Sequence, residues 1–328
     1  MVFVREGGFG AAMKDDVSSR DIALRIRVGK NVPHDPEIAV VVMSTNSDPR
    51  TLYAVESVLK SASKTEIAVV NTGSGSLEVM LSDVLDGIVL IESEKRQFPG
   101  GTRNIGIRHT CAPVVSFLAA DCIASEGWCE QRLHLHQSSL VTASSLLPAP
   151  RNGRVNSVAW ASYQVTHPER IPGMRARIAL SYGLSYDRSI FNEFGFFDES
   201  IRVGEDSLFN ERIRHKVGLS IENGVVTLHH YPNGFWEGLE DQYKRGGREF
   251  FYYKITRNRS GFLLAMRNVK RFMIASAFVV GNRRTYPYGA LLATLPLAAV
   301  LLVARVIGNI APIKKYVGMP KREGKIHE

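Results

Sequence analysis

The sequence predicts an α/β fold: a Rossmann-like, mostly parallel sheet flanked by helices, followed by a basic, apolar helical segment expected to associate with a membrane. Three observations carry this. Short β-branched runs such as IAVVVM (38–43) and EIAVVN (66–71) have no polar face, as in strands covered by helices on both sides. Helical patterns alternate with them at short spacing, which defines βαβ units. The charge is also split: residues 251–328 hold 14 Lys+Arg and 2 Asp+Glu, although the whole chain carries only +9. Residues 1–250 are therefore net acidic, and the basic character belongs to the tail.

A chain of 328 residues suffices for one large domain or two, and 45% hydrophobic with 22% charged residues excludes a disordered chain. Cys111, Cys122 and Cys129 are odd in number and lack CxxC spacing. They argue for a reducing compartment and against a disulfide frame or a zinc site. The stretch MVFVREGGFGAAMKDD has no apolar core of the kind a secretory signal needs. Nucleic acid is not an expected partner.

Residues 1–36 show no sustained periodicity and read as an extension with at most one short element; the organised domain is expected over 37–250. After the strand at 38–43, Asp48 is placed to cap a helix with Pro49 in its first turn, and Leu52, Val55, Val58, Leu59 and Ala62 share one face. The strand at 66–71 ends in the turn TGSGS. GIVLIE (87–92) is a third strand, FPGGTRNIGIRHT turns into a helix, and PVVSFLAAD (113–121) is the fourth strand. SLVTASSL (139–146) and VNSVAWASY (155–163) read as strands. Leu208, Ile213 and Val217 form a helical stripe ending at Gly218, and LSIENGVVTLHHY (219–231) reads as a hairpin with an Asn-Gly turn.

In the basic region, 251–328, the run at 289–304 has 16 uncharged residues; Arg305 interrupts it, and apolar sequence continues to 311. A spanning helix takes about 20 apolar residues. Three readings compete near 288–311: a short transmembrane helix, a helix lying in the interface, and a core helix. Upstream, Arg267, Lys270 and Arg271 fall within five positions, as on the polar face of an interfacial helix. Arg283, Arg284, Lys314 and Lys315 flank the run and suit anionic headgroups. The expected location is the cytoplasmic side of a membrane, peripheral or single-span.

Ligands of an open parallel sheet bind at the carboxyl ends of its strands. Four features sit at such ends: Thr45-Asn46, Asn71-Thr72, the PGGTRN turn and Asp121. Burying the Asp121 carboxylate unpaired would be costly. A divalent cation or a hydrogen-bond network relieves that cost, and one carboxylate suffices for Mg²⁺ when phosphate and water complete its shell; the alternative is an ordinary helix cap. Gly100 and Gly101 at a helix start favour phosphate, with Arg103 as a direct contact; the alternative is a plain loop-to-helix turn. No full GxGxxG and no GxxxxGKS is present, which excludes dinucleotide and P-loop readings.

Glu205 and Asp206 are adjacent at a helix start and point in different directions, so one can serve chemistry while the other orients a neighbour. Acids there also simply suit the helix dipole. His229 and His230 end a strand as metal ligands or surface residues, and His134 and His136 read as structural. QYKRGGR (242–248) either binds phosphate or begins the membrane-facing part.

Taken in order, VVVMSTNSDPRTLYAVESVL, VVNTGSGS, RNIGI, FLAAD followed by GW, GFFDE and GED resemble family 2 glycosyltransferases of the GT-A fold, over roughly residues 38–250. The resemblance implies inverting transfer of one sugar from a nucleotide-diphosphate-sugar donor to a hydroxyl of a glycan or lipid-linked acceptor. It implies donor binding by Thr45, Asn46, Asn71, Thr72, Gly100, Gly101, Arg103, Asn104 and Asp121. Mg²⁺ or Mn²⁺ would be held by Asp121 with His229, or with His230 as the alternate, and Asp206 would be the base beside Glu205. The chain departs from the pattern where Asn71-Thr72 replaces an acidic pair and Ala119 replaces the first acid of the metal motif. It also lacks the Trp of processive members after Gln242 and Arg245, which favours single-sugar transfer. The alternatives are a non-catalytic nucleotide-sugar-binding or scaffold protein on this fold, and a nucleotidyltransferase, whose Gly-rich, Arg-containing loop is not found in MSTNSDPR.

Overall fold

The computed structural model describes residues 23–60, 64–174, 183–217 and 220–312. Among these, nine strands form one sheet: β1 (Arg25–Val28), β2 (Ile38–Thr45), β3 (Thr65–Thr72), β4 (Val89–Ser93), β5 (Val114–Ala119), β6 (Cys122–Ala124), β7 (Val141–Pro148), β8 (Leu184–Asp187) and β9 (Ser220–His229). Their order is β1-β4-β3-β2-β5-β8-β7-β9-β6. The centre, β4-β3-β2-β5, is parallel, and β1 closes one edge antiparallel to β4. The N-terminal extension thus supplies one sheet strand.

The apolar runs earn their burial on both faces. Val40, Val42, Ile67 and Val69 enter one core, whereas Val41, Ala68, Val70, Val115 and Phe117 enter the other. The first core is covered by α1 (Thr51–Leu59) and α3 (Trp128–His136). The second is covered by α2 (Pro99–Arg108), α5 (Ser189–Phe194) and α6 (Glu205–Ile213). Helix α1 starts later than expected, because the Asp48 carboxylate turns onto the Arg50 amide at 3.0 Å and the helix is entered at Thr51.

Two sequence expectations are corrected. VNSVAWASY is not a strand but most of α4 (Ser157–Thr166), whose N-cap Asn156 accepts from the Ala159 amide at 2.8 Å. Ala159, Trp160 and Tyr163 then share a buried face, a helical spacing masked by the local alternation of small and large residues. The expected hairpin is the single strand β9, parallel to β7. Its register skips from Ser144↔Glu222 to Ser145↔Val226, so Asn223-Gly224 lies in a bulge rather than a turn. Gly218, Leu219, Lys314 and Lys315 lie outside the described residues.

A helical layer follows: α7 (Phe235–Arg257), α8 (Gly261–Gly281), α9 (Tyr288–Ala293) and α10 (Leu295–Ile310). Helix α7 runs straight through residue 250, the boundary expected from composition. The glycines of QYKRGGR serve a helix crossing: a Cβ on Gly246 would lie 2.1 Å from the Arg305 carbonyl of α10, and one on Gly308 2.2 Å from that of Tyr243. Among the described residues no helix is long and apolar enough to cross a membrane. The apolar run near 288–311 is instead divided at Thr294 into α9 and α10, and α10 packs against α7 and α4.

Candidate active site

Four strand ends share one rim. Thr45 pairs with Thr72 and Met43 with Ala119, and Gly73 donates to Ser93 at 2.8 Å, so the ends of β4, β3, β2 and β5 lie side by side. Thr45 and Asn46 are exposed there, whereas Asn71 and Thr72 are buried. Asn71 ties two loops together: its Oδ1 accepts from the Ser47 amide at 3.0 Å, and its Nδ2 donates to Ser47 Oγ and the Gly75 carbonyl. Asn46 and Ser47 take left-handed backbone, φ 53° and 54°, and Asn46 Oδ1 accepts from the Ser74 amide at 3.1 Å.

The PGGTRN turn does begin a helix, α2, but its side chains face inward. Asn104 exchanges two hydrogen bonds with the Phe197 backbone, at 2.9 and 3.1 Å. A Cβ on Gly100 would meet the Asp198 carbonyl at 2.5 Å, and Gly101 lies against the Gln97 side chain. Arg103 is buried between the rings of Phe117 and Phe197, where its guanidinium donates to Glu205 and its Nη2 lies 3.8 Å from Asp206 Oδ2. RNIGI, GFFDE and GED, remote in sequence, are thus one construction. Burial holds the Glu205 pKa above the ordinary carboxylate range against the pull of Arg103, and Asp206 adds to the rise. Asp206 lies in the first turn of α6, its Oδ1 accepting from the Ser207 amide at 2.7 Å.

Asp121 follows β5 directly. Its Oδ2 lies 3.6 Å from His229 Nε2 and its Oδ1 lies 3.7 Å from Cys122 Sγ. One ligand atom from each of Asp121, Cys122 and His229 falls within 4.8 Å of the others, a spacing that fits one ion at about 2.0–2.3 Å from each. Burial brings the His229 pKa down to about 4, so the ring is neutral at pH 7 and retains a lone pair for a metal. His230 is outside this group: its amide donates to the Asp121 carbonyl at 2.8 Å, and its ring lies within electrostatic reach of Arg151 and Arg50.

The sequence reading passed over Cys122, Arg50 and Arg170. Cys122 stands opposite His229 in the antiparallel β6–β9 pair, a relation that sequence spacing does not display. Arg50 pairs with Asp48 at 2.6 Å and its charge reaches Asp121; its place after Asp48-Pro49, at a strand end, was the available signal. Arg170 is buried within electrostatic reach of both Asp206 and His167, and the His167 ring lies 5.7 Å from that of His229. Arg170 is thus coupled by charge to Asp206 and to His167, the neighbour of His229.

The sequence matches the model of glycosyl transferase family 2 over residues 39–208, more than half of the chain. A search of curated protein sequences gives no match. Among solved structures, the mannosyltransferase PcManGT from Pyrobaculum calidifontis, in complex with GDP-Man and Mn²⁺, is 15% identical with a TM-score of 0.53, covering 86% of this chain and 89% of that one. S. aureus TarS 1–349 in complex with UDP-GlcNAc is 14% identical with a TM-score of 0.48, covering 87% and 93%. The likeness to PcManGT shows a shared GT-A fold. With four strand ends on one rim, its RNIGI, GFFDE and GED segments locked together and the family model matched over more than half of its length, the chain belongs to glycosyl transferase family 2 and is a glycosyltransferase.

Proposed function

We propose that the protein transfers one sugar from a nucleotide-diphosphate-sugar donor to a hydroxyl of a glycan or lipid-linked acceptor, with inversion and with Mg²⁺ or Mn²⁺. The observation that carries this reading is the presence of two acidic sites: Asp121 beside His229, and Asp206 beside Glu205 on Arg103. Asp206 takes the proton of the acceptor hydroxyl. The resulting oxygen attacks the anomeric carbon on the face opposite the diphosphate, and the bond from that carbon to the diphosphate oxygen breaks. Arg103 holds the Glu205–Asp206 pair in place rather than contacting the donor. Asp121 and His229, with Cys122 beside them, would hold the divalent ion; when bound, it neutralises charge on the diphosphate. Arg50 adds positive charge on the same side. Thr45 and Asn46 are the exposed rim residues for the nucleoside, and Asn71 shapes their loop from behind. PcManGT, bound to a nucleotide sugar and Mn²⁺, supports both the donor class and the metal.

The test is a panel of nucleotide sugars with Mg²⁺ or Mn²⁺, following donor hydrolysis, transfer and nucleotide binding. Failure of all three with every common donor would sink the proposal. A non-catalytic nucleotide-sugar-binding reading draws on Ala119 and on Asn71, whose amide is committed to loop contacts. It predicts donor binding without turnover in the same panel.

A further inference from the structure

A helix at a protein surface ordinarily turns its polar side outward. Helix α10 is apolar on both sides: Ala298, Leu301 and Leu302 pack inward into a core, and two polar residues are buried with them. Its inward face carries Arg305, 5% exposed, and Asn309, fully buried. Arg305 donates to Glu249 Oε1 at 2.6 Å and to Gln242 Oε1 at 3.0 Å, and Asn309 donates to the Gly246 carbonyl at 2.9 Å. Its exposed residues are Pro296, Ala299, Val300, Val303, Ile307 and Ile310, none with a polar side chain. Val303 and Ile310 are more than half exposed, at 58% and 57%.

Helix α8 repeats the pattern. Phe262, Leu263, Met266, Met273, Ile274 and Val280 are exposed at helical spacing. The sequence suggested a polar face made of Arg267, Lys270 and Arg271. Two of these turn aside: Arg267 donates to the Tyr253 hydroxyl and Arg271 to Glu169. Lys270 alone of the three is exposed, within the apolar stripe. Such apolar stripes on two helices, interrupted only by Lys270 among the exposed residues named, exceed the scattered exposed side chains normal for a surface.

The charge identifies the occupant. Residues 251–312 contain nine Lys and Arg and no Asp or Glu; Arg257, Arg271 and Arg305 pair with Glu211, Glu169 and Glu249, whereas Lys270, Arg283 and Arg284 are exposed. The turn after α8 presents Arg283, Arg284 and Tyr286 to solvent, with Tyr286 75% exposed. An apolar face with cations and an aromatic side chain at its border, and no acid, suits a bilayer of anionic lipid. A second copy of this face would bring like charges together. Helix α10 is held inward through Arg305 and Asn309, so contact is along its side, not across the bilayer.

We propose that α8 and α10 form a docking face for an anionic membrane surface, making the enzyme a peripheral, interfacial protein. This goes beyond the sugar-transfer reaction and stands or falls without it. The experiment is sedimentation of the full chain with vesicles of phosphatidylcholine alone and of phosphatidylcholine mixed with phosphatidylglycerol. The chain should pellet preferentially with the anionic vesicles. The double variants Val303→Ser/Ile307→Ser and Met273→Ser/Ile274→Ser should each weaken that binding by about tenfold or more. Arg283→Gln/Arg284→Gln should weaken it at low salt and match the parent chain at high salt. Thermal melting should be unchanged in all three, since the altered side chains are exposed. A chain that ignores anionic vesicles, or variants that keep full vesicle affinity with an unchanged melt, would overturn the proposal. So would concentration-dependent dimerisation abolished by the same variants without vesicle binding, which would put a second copy on this face.

Discussion

Two glutamates, Glu205 buried and Glu249 partly buried, are each bound to a buried arginine and behave in opposite ways. At the sheet rim, Glu205 meets Arg103 with Asp206 beside it, and its pKa is raised. In the helical layer, Glu249 meets Arg305, with Arg271 and Arg267 also within reach, and its pKa falls to about 2 despite burial. The difference lies in the surroundings of each pair. One cation shared by two carboxylates leaves the rim with negative charge to spare, the condition in which an acid can take up a proton. One carboxylate among several cations is a closed electrostatic unit. The first arrangement suits chemistry and the second suits holding helices together, although the residue types are the same.

The most severe break in this comparison is Asp206→Asn. It removes the carboxylate proposed as base while keeping its size. Turnover should fall by roughly a thousandfold, within the usual contribution of a positioned general base, and donor affinity by titration calorimetry should hardly change. Unchanged turnover would move the chemistry elsewhere. Glu249→Gln is the counterpart in the helical layer. It leaves Arg305 buried without its anion, which should cost about 3–5 kcal/mol in denaturant unfolding. Combining it with Arg305→Met removes both charges and should recover much of that loss. A Glu249→Gln chain as stable as the parent would show that the pair contributes nothing to stability.

Titration sharpens the contrast through its sign. The folded pKa of Glu249 lies below the ordinary glutamate value of 4.5, so the unfolded chain binds more protons below that pH. The stability it contributes is complete above pH 4.5 and is lost as the pH falls toward 2. Glu205 has the opposite sign: its raised pKa contributes stability at low pH that is lost as the pH climbs through the folded value. Unfolding free energy measured across the acid range should therefore lose part of its steepness in Glu249→Gln. Glu205→Gln should remove a contribution that favours acid. Parallel profiles for the two variants would contradict the difference between the pairs.

The sheet centre was legible in the sequence because both faces of each strand are buried, and IAVVVM and EIAVVN cannot be arranged otherwise. The rim was legible too, since strand ends follow from strand positions. The inward turn of Arg103 and Asn104 was not. Their partners, Glu205 and Phe197, lie some hundred positions away, and a helix-start arginine looks the same whether it meets a phosphate or a carboxylate. The C-terminal apolar run left three readings open for a related reason. Hydropathy counts apolar side chains but does not say which side of a helix is covered, and α10 covers Arg305 and Asn309. Asn223-Gly224 carries a hairpin signal, but pairing with β7 absorbs it as a bulge.

The smallest expected effect concerns the other rim carboxylate. Asp121 stands near Arg50, but its direct neighbours are His229 and Cys122, so a dissolved cation would play the part that Arg305 plays for Glu249. The cross-strand pairing of Cys122 with His229 sets a sulfur and a nitrogen on that ion's path. Oxygen and nitrogen alone suit Mn²⁺, whereas a thiolate shifts preference toward Zn²⁺ or Co²⁺. Loading the chain with Co²⁺ should therefore give a thiolate-to-metal charge-transfer band that Cys122→Ser abolishes. Mn²⁺-supported turnover in that variant should change by less than about tenfold, as expected for loss of a neighbour that a hard ion hardly uses. Asp121→Ala should abolish binding of both ions. A Co²⁺ spectrum without the band, alongside Mn²⁺ binding that still depends on Asp121, would leave Cys122 a core thiol and the site an oxygen–nitrogen one.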